Sequence, residues 1–188
     1  MKRIGILGDI GSGKTYIAKC FGFPVFNADL EVAKIYKYNR KVFQKLKKEL
    51  PNYFDSFPIK KKEIINAILS NRKNLKRIIK IVHREVRKKM NDFLRKNKHK
   101  KLVVLDIPLL LENKINKKKD ILIFVESKKS EILKRLKKRE NFNMKILNNF
   151  KKMQLSLVLK KKKSQFIIKN NFKNSVKVRV KEIMKNLV

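Results

Sequence analysis

Eight residues near the amino terminus, Gly8-Asp9-Ile10-Gly11-Ser12-Gly13-Lys14-Thr15, carry the spacing G-x-x-x-x-G-K-[ST]. That spacing suits a loop wrapped around phosphate. Glycines let the backbone curl until several N–H groups face inward toward phosphate oxygens. A helix opening directly after the loop adds its positive end. The lysine supplies a mobile cation for the terminal phosphates, and the hydroxyl after it can ligate Mg²⁺. The flanks agree: Ile4-Gly5-Ile6-Leu7 reads as a buried strand and Tyr16-Ile17-Ala18-Lys19-Cys20-Phe21 as a helix. Strand, loop and helix in that order is the setting in which this motif has meaning. The plainer alternative is a glycine turn between strand and helix. The motif by itself specifies phosphate binding and not a reaction.

Further chemistry comes from acids at strand ends. Asn27-Ala28-Asp29 follows the short apolar run Pro24-Val25-Phe26. A carboxylate at the end of a parallel strand faces the ligand crevice. Asp29 there can orient an acceptor hydroxyl and take its proton, a task that alignment makes feasible for a carboxylate of ordinary pKa. It can equally serve as the N-cap of a helix starting at Leu30, and the two roles are compatible. Asp106 ends the run Leu102-Val103-Val104-Leu105. It reads as an acid acting on Mg²⁺, directly or through water, or as an ordinary strand-end turn. Arg135 and Arg139 lie four residues apart, on one face of an expected helix. Either can close over phosphates and neutralise developing charge, or both simply face solvent.

Apolar patterning gives the elements that would position these groups. Five short strands are expected: Arg3–Leu7, Pro24–Asn27, Leu102–Leu105, Ile121–Val125 and Phe166–Ile168. Continuous apolar runs of this kind suit parallel strands covered on both faces, so the fold class is α/β. From Asp29 to about Asn97 the chain reads as helical, interrupted by a loop over Pro51–Pro58. Its clearest helix is Leu75–Asn97, where Ile79, Val82, Val86, Met90 and Phe93 form one stripe. Ser127 or Ser130 can cap a helix reaching Arg139, and a second helix is expected over Met144–Lys163. Val180, Ile183, Met184 and Leu187 mark a last amphipathic helix.

Composition bounds the partners. The 188 residues are 43% hydrophobic, enough for a sizeable core, and carry 52 Lys plus Arg against 15 Asp plus Glu, a net charge of +37. Such a field attracts polyanions. The lysines are spread along the chain among many Asn, Ile and Phe residues, as an AT-biased coding sequence produces. No folded nucleic-acid module is evident, so no specific nucleic-acid partner is expected. Cys20 is the only cysteine, which excludes an internal disulfide and agrees with a reducing compartment. It reads as a small buried hydrophobe. No Cys/His cluster suits zinc, and no segment has membrane-spanning length. A strand at the very start leaves no room for a signal peptide. The expected compartment is the cytoplasm.

Taken together and in order, these segments resemble the dephospho-CoA kinase family, over nearly the whole chain. That family reads T-G-G-I-G-S-G-K-S where this chain has Leu7-Gly8-Asp9-Ile10-Gly11-Ser12-Gly13-Lys14-Thr15, and D-A-D where it has Asn27-Ala28-Asp29. Its P-L-L-F-E segment matches Pro108-Leu109-Leu110-Leu111-Glu112. Its R-L-x-x-R lid matches Arg135-Leu136-Lys137-Lys138-Arg139, with a downstream glutamine at Gln154. Its histidine in the long helical region matches His83, and its last strand and asparagine pair resemble Phe166-Ile167-Ile168-Lys169-Asn170-Asn171.

The resemblance implies a P-loop NTPase fold, a three-layer α/β core with a five-stranded parallel sheet, a helical acceptor-binding insertion and a helical lid. The core would comprise 1–28, 100–127 and 164–188, the insertion 29–99 and the lid 128–163. It implies ATP and Mg²⁺ as cofactors, dephospho-CoA as acceptor, and a monomer or small homo-oligomer. Asp29, Lys14 and Arg139 would be catalytic, with Asp29 the acceptor-side base. Gly11, Ser12, Gly13, Lys14, Thr15 and Tyr16 would hold ATP, Tyr16 through its backbone N–H. Thr15 would ligate Mg²⁺ and Asp106 would act on it through water. Asp9, His83, Pro108 and Leu109 are acceptor-side candidates.

The departures are specific. Asp9 replaces a glycine, and can repel phosphate, point at the acceptor or face solvent. Asn27 replaces the first acid of D-A-D, which leaves Asp29 as the base candidate. Arg84 replaces a proline after His83, itself readable as substrate contact or core packing. Lys160–Lys163 and Gln165 stand where the family has arginines and an acid, and Phe172 stands where it has a glycine. Two competing readings keep other features: a nucleoside or nucleoside-monophosphate kinase of the same fold, and a basic nucleic-acid-binding protein without activity.

Overall fold

The computed structural model describes residues 1–140 and 142–187. In chain order its elements are β1 (Lys2–Gly8), α1 (Lys14–Cys20), β2 (Val25–Asn27), α2 (Ala28–Tyr38), α3 (Arg40–Glu49), α4 (Lys61–Ser70), α5 (Arg72–Lys96), β3 (Leu102–Asp106), β4 (Ile121–Glu126), α6 (Lys129–Lys137), α7 (Met144–Lys151), α8 (Leu157–Lys162), β5 (Phe166–Lys169) and α9 (Lys177–Lys185). All five expected strands are present. They pair in parallel in the order β2-β3-β1-β4-β5.

Strand alternation sorts the core. Ile4 and Ile6 of β1 lie with Ile17 of α1, Phe21 just after it, and Val180 and Ile183 of α9 in one buried cluster. Gly5 between them faces the other way, where a Cβ would come within 2.5 Å of Leu110 Cδ2 and 3.0 Å of Leu122 Cδ2. There α8 packs along β1. Helices on both faces explain why the strands read as unbroken apolar runs. The order places β1 between β3 and β4, so the chain reverses direction of travel across the sheet beside β1. Ligands of such sheets bind at that point, beyond the carboxyl ends of the strands.

Two compact units divide the chain. One comprises Met1–Asn27, Leu94–Phe142 and Met153–Val188 and holds the sheet; the other comprises Ala28–Phe93 and Asn143–Lys152. In the second unit Ile35, Val42, Leu46, Phe54 and Leu147 are buried, and α4 packs against α7. The stripe on α5 runs Leu75, Ile78, Val82, Val86 and Met90, all buried. Ile78 is buried in this stripe, whereas Ile79 and Phe93, expected in it, are only partly buried.

Three expectations for the helices are corrected. The single helix over Met144–Lys163 is two, α7 and α8, because Ser156 accepts a hydrogen bond from Leu159 N at 3.2 Å and starts a new helix. Neither Ser127 nor Ser130 caps α6, whose N-cap is Lys128 and which ends at Lys137. Arg139 therefore lies beyond the helix and does not share a helical face with Arg135. Asp29 is not an N-cap either: α2 starts at Ala28 and Asp29 sits in its first turn, where a carboxylate opposes the helix dipole favourably.

Candidate active site

The loop between β1 and α1 is held from several strand ends at once. Gly13 is the N-cap of α1 with φ 92, a left-handed conformation that glycine alone adopts at little cost. A Cβ there would also fall 2.4 Å from Asn170 Nδ2. Space at that point goes to Asn170, which follows β5 and donates to Ser12 O at 2.9 Å. Ser127, following β4, donates to the same carbonyl at 3.1 Å. That use of the Ser127 hydroxyl explains why it does not cap α6. At Gly11 the side chains of Leu136 and Ile132 on α6 approach to 3.0 and 3.1 Å of where a Cβ would stand. The expected phosphate loop is thus clamped between α6 and the loops after β4 and β5.

Lys14 Nζ donates to Asp9 O at 2.6 Å and to Gly8 O at 3.3 Å, which lays the ammonium across the loop mouth. Asp9 is 8% exposed and its Oδ1 accepts from Ile10 N at 2.7 Å. This overturns the reading that Asp9 faces solvent: its carboxylate is engaged in holding the turn. Thr15 Oγ1 donates to Asp106 Oδ2 at 2.6 Å, so the loop and the end of β3 are joined. Tyr16 is half exposed; its phenol pKa is raised, first by the neighbouring Cys20. Cys20 itself is only partly buried against the core cluster.

The sequence presents Asn27 as a lost acid. In the structure its amide is bonded to the acid that ends β3. Asn27 lies opposite Asp106 in the β2–β3 register and donates to Asp106 Oδ2 at 2.6 Å. Ser127 and Asn170 were likewise missed as loop supports, and only the contact across the sheet reveals them. Asp106, 3% exposed, is more than a strand-end turn residue, since it collects both Thr15 and Asn27.

The remaining candidates are distributed more widely. Pro108 and Leu109 are half-buried in the turn after β3, and Leu109 O accepts from Asn113 Nδ2 at 3.0 Å. Glu112, the acid of that segment, accepts from Leu155 N at 2.9 Å and pairs with Lys160 at 2.7 Å. Lys160 is 1% exposed, so this lysine of the basic run is structural. Arg135 rests its guanidinium 4.5 Å from the centre of the Phe172 ring. Phe172 takes φ 62, so the turn keeps the left-handed shape its glycine-like position requires. Arg139 is exposed in the turn after α6. Asp29 and His83 belong to the other compact unit. Asp29 is exposed. His83 is half-buried, and burial first, then the Arg87 charge, lowers its pKa below the ordinary 6.5.

Oxygen donors are what the loop presents to a metal. Thr15 hydroxyl and Asp106 carboxylate, 2.6 Å apart, are hard ligands of the kind Mg²⁺ takes, one or two from protein with the rest from phosphate and water. Among the described residues no cluster of three or more His, Cys, Asp or Glu side chains converges. The set fits Mg²⁺.

A phosphate-wrapping loop at the head of a parallel 2-3-1-4-5 sheet, with a hydroxyl and an acid beside its lysine, defines a P-loop kinase fold. The dephospho-CoA kinase family model (CoaE) matches residues 2–175. The chain belongs to the dephospho-CoA kinase family, and it is an enzyme. A dephospho-CoA kinase of Wolbachia pipientis wMel is 34% identical over 190 residues, covering 98% of this chain and 97% of that one. Among solved structures, TT1252 from Thermus thermophilus superposes with a TM-score of 0.78 at 24% identity, covering 100% and 98% of the two chains. Dephospho-CoA kinase from Campylobacter jejuni superposes with a TM-score of 0.65 at 21% identity, covering 99% and 97%.

Proposed function

We propose that the protein transfers the γ-phosphoryl group of ATP to the ribose 3′-hydroxyl of dephospho-CoA, giving CoA and ADP in the last step of CoA synthesis. The observation that carries this reading is the loop Gly8–Thr15 joined through Thr15 to Asp106, in a chain matched by that family over residues 2–175.

Phosphoryl transfer asks a protein for alignment and charge stabilisation rather than covalent chemistry. Backbone N–H groups of Gly11–Tyr16 hold the phosphates, and Lys14 swings from its carbonyls onto the β/γ oxygens. Thr15, and Asp106 through water, would hold Mg²⁺, which would supply neutralisation of phosphate charge when bound. Asp29 accepts the proton of the acceptor hydroxyl as its oxygen bonds to phosphorus and the bond to ADP breaks. Two chain positions beyond Asn27, Asp29 follows directly on the strand that ends beside Asp106. Arg139 balances charge on the transferred group, and the turn that carries it after α6 leaves its side chain exposed. Residues 29–99 supply the acceptor site, with His83 there, and Asp9, Pro108 and Leu109 are further candidates for acceptor contact. Within residues 128–163, read as the lid, α6 lies over the loop and keeps water from the phosphates, while α8 is anchored by Lys160. The reading further holds that the enzyme works in the cytoplasm as a monomer or small homo-oligomer, in keeping with a single cysteine. No helix among the described residues is long and apolar enough to cross a membrane.

An acceptor panel tests the reading. ADP release is followed with dephospho-CoA, AMP, CMP, dTMP and nucleosides at equal concentration. Turnover is expected with dephospho-CoA and background with the others. Faster turnover with a nucleoside or a nucleoside monophosphate would reassign the acceptor.

A further inference from the structure

The relay Asn27–Asp106–Thr15 crosses three neighbouring segments at the carboxyl edge of the sheet. Asn27 Nδ2 donates to Asp106 Oδ2 at 2.6 Å, and the Thr15 hydroxyl donates to the same oxygen at 2.6 Å. Asn27 Nδ2 also stands 3.5 Å from Thr15 Oγ1. The consequence for Thr15 is directional. Its one hydroxyl proton is committed to Asp106, so its lone pairs are what it offers to a cation. The proton stays committed only while Oδ2 stays where it is, and the Asn27 amide fixes Oδ2.

We propose that Asn27 is a metal-positioning residue: it holds the Asp106 carboxylate, and through it the Thr15 hydroxyl, in the orientation that receives Mg²⁺. This rests on the Mg²⁺ assignment made above. The residue type matters. A carboxylate in the same place would set two acidic oxygens 2.6 Å apart, and such a pair holds on to a proton or repels. An amide brings a donor to that spot, binds Asp106 without competing for a proton, and leaves the two strand ends with one negative charge. β2 is a three-residue strand ending at Asn27, and its register with β3 puts Asn27 directly across from Asp106. Partners that orient a metal ligand in this way are worth ~10- to 100-fold in metal affinity.

The test uses Mn²⁺ as a spectroscopic stand-in for Mg²⁺. Free and bound Mn²⁺ are measured by electron paramagnetic resonance in the enzyme–ADP complex of the parent, Asn27→Ala, Asn27→Leu and Asp106→Asn. Metal-free ADP binding is measured by calorimetry in EDTA, and thermal unfolding is recorded for each protein. Asn27→Leu keeps the volume without the donor, so it separates lost packing from a lost hydrogen bond. Expected is a ~10-fold weaker Mn²⁺ affinity in both Asn27 variants, with metal-free ADP affinity within about twofold of the parent, since the loop itself is braced by Ser127 and Asn170. Parental Mn²⁺ affinity in either Asn27 variant, alongside a loss in Asp106→Asn, overturns the positioning role and leaves the metal assignment standing. A parallel fall in metal-free ADP affinity also overturns it, because Asn27 would then be supporting the loop. Absence of Mn²⁺ binding by the parent complex overturns the metal assignment itself.

Discussion

Lys14 sits with its ammonium across the mouth of its own loop, donating to the carbonyls of Gly8 and Asp9. Those are weak neutral acceptors, whereas phosphate oxygens are charged ones, and charge-assisted bonds are about twice as strong. The swing to nucleotide is therefore downhill, and Lys14→Ala should lower kcat by ~10²- to 10³-fold, as removal of one preorganised donor does. Asp29→Asn removes a proton acceptor and keeps the shape; a loss of ~10²- to 10⁴-fold in kcat is expected. Both are read by ADP release with dephospho-CoA, and turnover of Asp29→Asn within a few-fold of the parent would remove Asp29 from the base role. His83 gives a prediction about pH. Its folded-state pKa is held below 6.5 by burial and by Arg87, so as pH falls through 6.5 the unfolded chain takes up this proton before the folded one does. Stability is lost on the acid side of that value and is regained as pH rises above it. Unfolding midpoints of the parent should therefore drop more steeply between about pH 6.5 and 5 than those of His83→Gln, and identical slopes would mean that His83 titrates alike in both states. At this scale the loop and its lysine were legible because the motif is contiguous. Asn27 was not, since its meaning lies in a register partner 79 positions away.

The elements around the site are tied down by ion pairs that sequence alone did not reveal. Glu112, in the turn after β3, meets Lys160 of α8 at 2.7 Å with 9% and 1% side-chain exposure. Arg3 of β1 meets Asp120, just before β4, at 2.8 Å with 8% and 2% exposure. A basic run such as Lys160–Lys163 reads as a solvated face. One of its members points inward because α8, capped by Ser156, presents that position to the sheet side. The same start explains why one expected helix is two. Strands were readable to within a residue or two because buried parallel strands are continuous apolar runs, whereas the break at 152–156 depends on a cap and on a partner 48 positions upstream. Removing one member of a buried pair leaves the other charge without compensation, which costs ~3–5 kcal/mol. Lys160→Ala and Glu112→Gln should each destabilise by about that amount in urea unfolding. The double change Lys160→Met with Glu112→Leu should recover most of the loss, because apolar groups of similar volume need no compensation. A double variant as unstable as the singles would mean that the Glu112 bond to Leu155 N, and not the ion pair, holds α8 in place.

At the scale of the whole molecule the charge of +37 acts on substrates and on the fold in opposite senses. With 15 acids against 52 basic side chains, most cations have no acidic partner available, so repulsion among them outweighs pairing. The spread of these residues along the chain was readable from sequence; the balance between repulsion and pairing follows from the count. Both ATP and dephospho-CoA are anions, and a cationic surface raises their encounter rate over a distance set by the Debye length, roughly 30 Å at 0.01 M salt and 10 Å at 0.1 M. Added NaCl should therefore lower kcat/KM for both substrates several-fold between about 0.02 and 0.3 M, with the change falling on KM and with kcat nearly constant, since short-range contacts to the phosphates are screened far less than long-range attraction. The same salt screens self-repulsion, so the thermal midpoint should rise over that range. One titration thus has two readouts of opposite sign. A kcat/KM that stays flat would mean that capture is governed by the loop alone, and a thermal midpoint that falls would mean that the few ion pairs outweigh the many unpaired cations.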